Sequence, residues 1–418
     1  MTASEIAAAV NAGTLSAEDA VAGALDRLER RRDLCAVITI CEEQALARAR
    51  AGVTGRLAGV PLLVKDLIDT AGVRTTYASA IHRDRVPERT APSVAALEAE
   101  GAIVVAKANC DEFAWGVAGQ NRHYGDMVNP RNPGHIAGGS SGGNAAALAA
   151  GLVPLALGTD TGGSVRLPAG ACGVVGLKPP LGVIAMEGIH PLAPSFDTVG
   201  PMARTVADCA LAYSVLAGTP VPAPRVAGLR VGVLTHPPDV TGAAARGERD
   251  ARADVVAERL RDADAIVTET RLPVPDADTW PVFYAEAAAA HAETFPSRSS
   301  EYGATVRAKL EQASRVGSDE LRSARAALTA WRARAAAELE VDLIASPTLG
   351  LADLPPAGVD ELQIRLPFST YTRVFSYLGW PAIAIGDLQL AGRDVGMVIA
   401  AALALDRGSP LHLDASSR

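Results

Sequence analysis

Three residues carry side chains that could do chemistry in surroundings built otherwise from apolar residues and glycine. Lys65 ends the run Pro-Leu-Leu-Val, Ser140 sits in GGSSGG, and Ser164 closes TDTGGS. A lysine in a buried strand is costly while charged, so its pKa falls and the neutral amine becomes a usable base. A hydroxyl beside such a base can become a nucleophile. The glycines of TDTGG let backbone N–H groups converge on a developing oxyanion. This combination needs no histidine and no metal. Blander readings stand beside it. Lys65 could form a structural ion pair with Asp66 or Asp69, and both serines could be turn residues. The set together is far more specific than any member.

Elements of regular structure must hold these groups. Twelve of the 39 glycines fall between Gly134 and Gly176, around a helix-like AAALAAGLVPLAL. Residues 2–54 read as helices, with Ser4 and Ser16 as N-caps. The run at 59–69 is strand-like, 93–100 helical, and AIVVAKAN after Gly101 a buried strand. A helix follows at 205–217 and a strand at 229–234. Residues 236–280 are polar and helical around 248–262, and 284–340 carry two or three helices. VDLIASPT (341–348) reads as a strand, and 381–386 and 395–405 as apolar elements returning to the core. Alternating strands and helices predict an α/β sheet fold.

The chain has 418 residues, 49% of them apolar, which supports a sizeable core and excludes a disordered or fibrous class. A net charge of −8 argues against general binding to nucleic acid or an anionic membrane. The longest uncharged run, 132–159, is broken by Gly and Pro, and its apolar part is too short for a span of ~20 residues. Five cysteines without a CxxC read as buried thiols in a reducing compartment. The N-terminus lacks a basic leader, so the expected location is cytoplasmic.

Longer motifs sharpen the reading. GVPLLVKDLID (59–69), GAIVVAKANCDEFAWG (101–116), GGSSGGNAAALAAGLVPLALGTDTGGSVRLPAGACGVVGLKP (138–179) and SFDTVGPMARTVAD (195–208) together resemble the amidase signature family of serine hydrolases. The resemblance spans most of 1–220 and recurs weakly at 341–410. It implies an α/β fold with a mixed central sheet covered on both faces by helices. It implies one domain over 1–418: N-terminal helices at 1–55, a catalytic core at 56–220, a helical elaboration at 235–340 and a return to the core at 341–410. The implied activity is hydrolysis of a linear carboxylic amide C–N bond through an acyl-enzyme.

Carried over by motif position, Ser164 is the nucleophile, Ser140 the bridging serine with a cis peptide bond, and Lys65 the base. The N–H groups of Thr161, Gly162, Gly163 and Ser164 form the oxyanion hole. Ser141 supports the site. Asp160 and Arg166 order the nucleophile loop as an ion pair, with Arg166 binding a substrate carboxylate as the alternative. Trp115, Gln120 and Gly139 are candidates for substrate contact, with Phe113 either pocket or core. Lys107, Asp111 and Lys178 read as scaffold. No cofactor is implied. The expected partner is a small-molecule amide, with no nucleic acid and no membrane, and a homodimer stays open.

The chain also departs from the family pattern. Asn144 stands where Ser is common and Pro180 where Thr is common. After the PAI strand the family usually carries a GLPxGxQ-like segment, and here PAIAIGDLQLAGRD runs on almost directly. Three rival readings remain. GGSSG also fits the GxSxG elbow of α/β-hydrolases, which would make Ser140 the nucleophile. The resemblance includes the amidase subunit of a glutamyl-tRNA amidotransferase. An inactive scaffold homologue is the third.

Overall fold

The computed structural model of the chain describes residues 1–241 and 250–406. Its strands are β1 (Val37–Ile40), β2 (Pro61–Lys65), β3 (Ile103–Ala108), β4 (Leu155–Asp160), β5 (Val175–Lys178), β6 (Thr198–Ala203), β7 (Arg230–Leu234), β8 (Ile266–Thr270), β9 (Leu343–Pro347), β10 (Ala382–Ile385) and β11 (Leu388–Ala391). They form one mixed sheet in the order β1-β3-β2-β4-β6-β5-β10-β11-β9-β7-β8. Strand β2 pairs parallel to both β3 and β4, and β4 pairs antiparallel to β6.

Alternate residues of the central strands enter two separate cores. Leu62, Val64, Leu155 and Leu157 join one cluster, while Leu63 and Ala156 join the other. Both faces are therefore covered by helices, which is why β2, β3 and β4 read as near-continuous apolar runs. Each fully buried Leu or Val contributes about 1.5–3 kcal/mol. The helix Gly142–Ala149 packs on the second face with Ala145, Ala146 and Ala147 wholly buried, and its small residues permit close approach to the sheet. This is the mixed, doubly covered α/β sheet expected from the motifs.

Several local expectations need correction. The run AAALAAGLVPLAL is not one helix: the helix stops at Ala149, Gly151 takes φ +70°, and β4 begins at Leu155. Pro154 cannot continue a helix, which explains the break. Residues 2–54 include a strand, β1. Strand β8 lies in the segment read as polar, because it is an exposed edge with β7 its sole neighbour. Thr2, not Ser4, caps the first helix in a capping box with Glu5, and Ser4 instead donates to Asp208. Ser16 caps the second helix as expected. The helix expected from 248 runs Arg252–Arg261; its expected start and the 407–410 end of the return segment lie outside the described residues. Three helices, Trp280–Ala290, Ala304–Ala313 and Ser318–Glu338, fill the 284–340 region. Among the described residues no helix is long and apolar enough to cross a membrane.

Candidate active site

Lys65 is the last residue of β2, and its side chain is fully buried. Its Nζ donates to Ser140 Oγ (2.8 Å), Thr159 Oγ1 (2.9 Å) and the Thr159 carbonyl (3.5 Å). The rival ion pairs do not form. Asp66 accepts from Thr76 and the Ala78 N–H, while Asp69 takes Arg85 in a bidentate pair at 2.7 and 2.6 Å. Burial lowers the Lys65 pKa to about 8, against the partial opposition of Cys110 and the carboxylates of Asp111, Asp160 and Asp197. Lys107 and Lys178 are depressed by the same cause, to about 8 and about 7, so depression alone does not single out Lys65. Lys178 donates to the carbonyls of Pro179 and Trp380, and Lys107 to the Ile68 carbonyl and the hydroxyls of Thr70 and Thr75. Lys65 is distinguished by its contact with Ser140.

Ser140 is buried in a loop ahead of the helix Gly142–Ala149, and the Gly139–Ser140 peptide bond is cis. The next residue ties this loop to the loop bearing Ser164: Ser141 N–H donates to the Ser164 carbonyl (3.0 Å). Ser141 Oγ donates to the Thr159 carbonyl (3.4 Å). Lys65, Ser140 and the Ser164 backbone are thus drawn together by three segments from two adjacent strands and one loop. No strand leads into Ser140 and its hydroxyl faces Lys65, so the nucleophile-elbow geometry is not present.

Ser164 follows β4 and lines a cleft of about 550 Å³, counting the space at its mouth. Its hydroxyl has no partner among the described residues. The loop around it is fastened by Asp160. That carboxylate accepts from Gly163 N–H (2.8 Å), Val165 N–H (3.2 Å), and Arg166 Nε (2.9 Å) and Nη2 (3.0 Å). Burial pushes the Asp160 carboxyl up, but Arg166, its own hydrogen bonds and Lys178 outweigh this and hold it below the usual carboxylate range. Arg166 completes its set with Gln389 Oε1 and Ser376 Oγ, both at 2.7 Å. The ion-pair reading of Arg166 therefore prevails over the carboxylate-binding one: the guanidinium is fully buried and absent from the cleft lining.

The expected oxyanion donors are narrowed by the same bonds. Gly163 spends its N–H on Asp160, while those of Thr161, Gly162 and Ser164 have no partner among the described residues. Gly163 is required for another reason: at φ +131°, a Cβ would lie 2.2 Å from Thr372 Oγ1. Thr161 Oγ1 donates to Asp197 (2.6 Å), which also accepts the N–H groups of Leu192 and Ala193 and so holds the loop from its far side.

Of the substrate-contact candidates, Trp115 lines the cleft. Gln120 does not; its side chain donates to the Val359 carbonyl (2.9 Å) and faces a neighbouring cavity. Gly139 does not line the cleft either. It is glycine because a Cβ would meet Asp111 Oδ2 at 2.1 Å. Phe113 belongs to a buried aromatic cluster with His190, His291 and Tyr302. Sequence reasoning missed Thr159, which receives Lys65, and the cleft walls formed by Trp280, Phe283, Arg365, Arg373 and Tyr377. Thr159 lies inside a quoted motif, one residue before Asp160. The wall residues come from helices more than a hundred positions downstream. At the point where the resemblance predicts a GLPxGxQ-like segment, the chain makes a tight hairpin in which Ile385 pairs with Leu388 across Gly386 and Asp387.

Comparison with known proteins places the chain. A family model described as Amidase matches residues 19–406. A glutamyl-tRNA(Gln) amidotransferase subunit of Roseiflexus sp. (strain RS-1) is 45% identical over 247 residues, covering 55% of this chain and 50% of that protein. The chain spans about half the length of the curated relatives it matches. A solved amidase structure superposes with a TM-score of 0.85 at 31% identity, covering 97% of this chain and 99% of that one. The 6-aminohexanoate cyclic dimer hydrolase complexed with substrate gives a TM-score of 0.85 at 25% identity, over 97% and 96% of the two chains. On a match that spans nearly its whole length, this chain belongs to the amidase family.

Proposed function

We propose that this chain hydrolyses a carboxylic amide through an acyl-enzyme on Ser164. The observation that carries the reading is the contact of a buried, carboxylate-free Lys65 with Ser140, in a loop bonded to the backbone of Ser164. Neutral Lys65 takes a proton from Ser140, which takes one from Ser164, whose oxygen attacks the amide carbon. The N–H groups of Thr161, Gly162 and Ser164 receive the oxyanion. The proton returns through Ser140 to the leaving nitrogen as the C–N bond breaks. Water then enters, gives its proton to the same relay, and releases the acid.

A second reading is favoured by the identity to an amidotransferase subunit: the chain would release ammonia for a partner within a complex. Both readings use the same Ser164. A panel of amides scored for ammonia or amine release by the purified chain separates them, because the second predicts turnover that depends on added partner subunits. Under both, Ser164→Ala lowers turnover by about 10⁴-fold or more without unfolding the chain. Turnover within tenfold of wild type refutes the assignment.

A further inference from the structure

The cleft beside Ser164 is walled by Trp115, Trp280, Phe283 and Tyr377, yet it also holds four charged side chains. Two of them cancel: Lys309 Nζ donates to Glu361 Oε2 at 2.6 Å, and both are buried. The other two are Arg365 and Arg373, on consecutive helices Glu361–Phe368 and Thr370–Leu378. Arg373 is 7% exposed and has no carboxylate partner among the described residues. Its Nη2 donates to two neutral oxygens, the Leu366 carbonyl (2.6 Å) and Ser369 Oγ (3.0 Å). Its Nε is buried with no hydrogen-bond partner. Asp239 acts on it through space without touching it. The guanidinium lies 5.1 Å from the Trp280 ring centroid, and that of Arg365 5.9 Å from the same ring.

A buried charge without a counterion is unfavourable, and it persists where a ligand supplies the missing charge. The planar guanidinium fork matches a carboxylate. The position of Arg373 is tied to the reacting centre, because Thr372 Oγ1 donates to the Gly162 carbonyl at 2.9 Å. Resting on the amidase reading of Ser164, we infer that the amide substrate carries a carboxylate and that Arg373 receives it inside the cleft. Arg365 adds a second positive charge on the same wall, and the aromatic rings take the apolar link between carboxylate and amide.

The carboxylate can sit on either side of the scissile bond. The test therefore uses two matched pairs: a dicarboxylic half-amide against its diamide, and an N-acyl amino acid against its amino-acid amide. In wild type, the charged member of one pair exceeds its neutral partner by about 100-fold in kcat/KM, the worth of a charge-assisted hydrogen-bonded pair. A dicarboxylate also protects Ser164 from a neutral fluorophosphonate. Arg373→Gln, with its fold checked by circular dichroism, loses both the preference and the protection, and Arg373→Lys recovers part of each. Equal or better turnover of the neutral member in both pairs overturns the inference, and this comparison needs no variant. So does a charge preference that survives in folded Arg373→Gln. Wild type that is labelled at Ser164 but shows no charge preference refutes this inference alone. Wild type that is not labelled at Ser164 refutes the amidase reading and this inference with it.

Discussion

Arg166 and Arg373 are both buried, and both touch the region of the helix Thr370–Leu378, yet they are partnered in opposite ways. Arg166 lies under the loop bearing Ser164, where Asp160 gives it two carboxylate oxygens and Gln389 and Ser376 two more acceptors. Arg373 lies on the cleft wall with neutral oxygens alone and an unpaired Nε. The floor of the site is a closed network whose charges cancel, and it fastens Gly163, Val165 and Arg166 to Asp160. The wall is left electrostatically incomplete. Complete networks rigidify a site, whereas an incomplete one leaves capacity for a ligand.

The largest expected effect concerns Lys65, which contacts Ser140 and Thr159 beside that floor. Its base form is the neutral amine, and burial lowers its pKa to about 8. Activity should therefore rise with pH, about tenfold per unit below that value, and level off above it. Lys65→Ala should cost about 10²–10⁴-fold in turnover and abolish the ascending limb. A pH profile and rate unchanged from wild type would make Lys65 a structural residue.

Stability then separates the two arginines. Asp160→Asn strips the countercharge from a fully buried Arg166 and should destabilise the chain by about 3–5 kcal/mol, read from urea unfolding. Arg373→Gln removes a charge that has no countercharge and should change stability by about 1 kcal/mol or less. Equal losses at both sites would mean that the wall is as complete as the floor, and the comparison would fail.

How legible each region was in the sequence follows the same division. The core of the floor, Asp160 to Arg166, lies in one glycine-rich stretch, and local chemistry there leaves few alternatives: TDTGG must turn tightly, and Gly163 cannot bear a Cβ against Thr372. The distant acceptors Gln389 and Ser376 were not legible. Apart from Trp115, the wall is assembled by tertiary packing of helices from 280 to 377, so no local spacing announces it. Arginine is also abundant here, and a buried arginine looks like a solvated one in a sequence rich in both Ala and Arg. A usable signal did exist, since Arg373 is the one charged residue in TYTRVFSYL, an otherwise uncharged helix. In the fold, buried β2, β3, β7 and β9 were readable from their apolar runs. The short β1 and the exposed edge β8 were not, because neither combines length with an apolar pattern. Gln120 was misplaced because its backbone follows a matched motif while its side chain turns to Val359.

The central claim is that Ser164, with Ser140 as relay, is the nucleophile. Wild type and Ser140→Ala should each be treated with a fluorophosphonate and digested with a protease that cleaves before aspartate. The cut at Asp160 separates a 126–159 peptide bearing Ser140 from a 160–196 peptide bearing Ser164. Mass spectrometry should find the adduct on the 160–196 peptide in both proteins, formed more slowly in Ser140→Ala because the oxyanion donors remain while the relay is lost. An adduct on the 126–159 peptide of wild type, or one that disappears entirely in Ser140→Ala, would contradict the account.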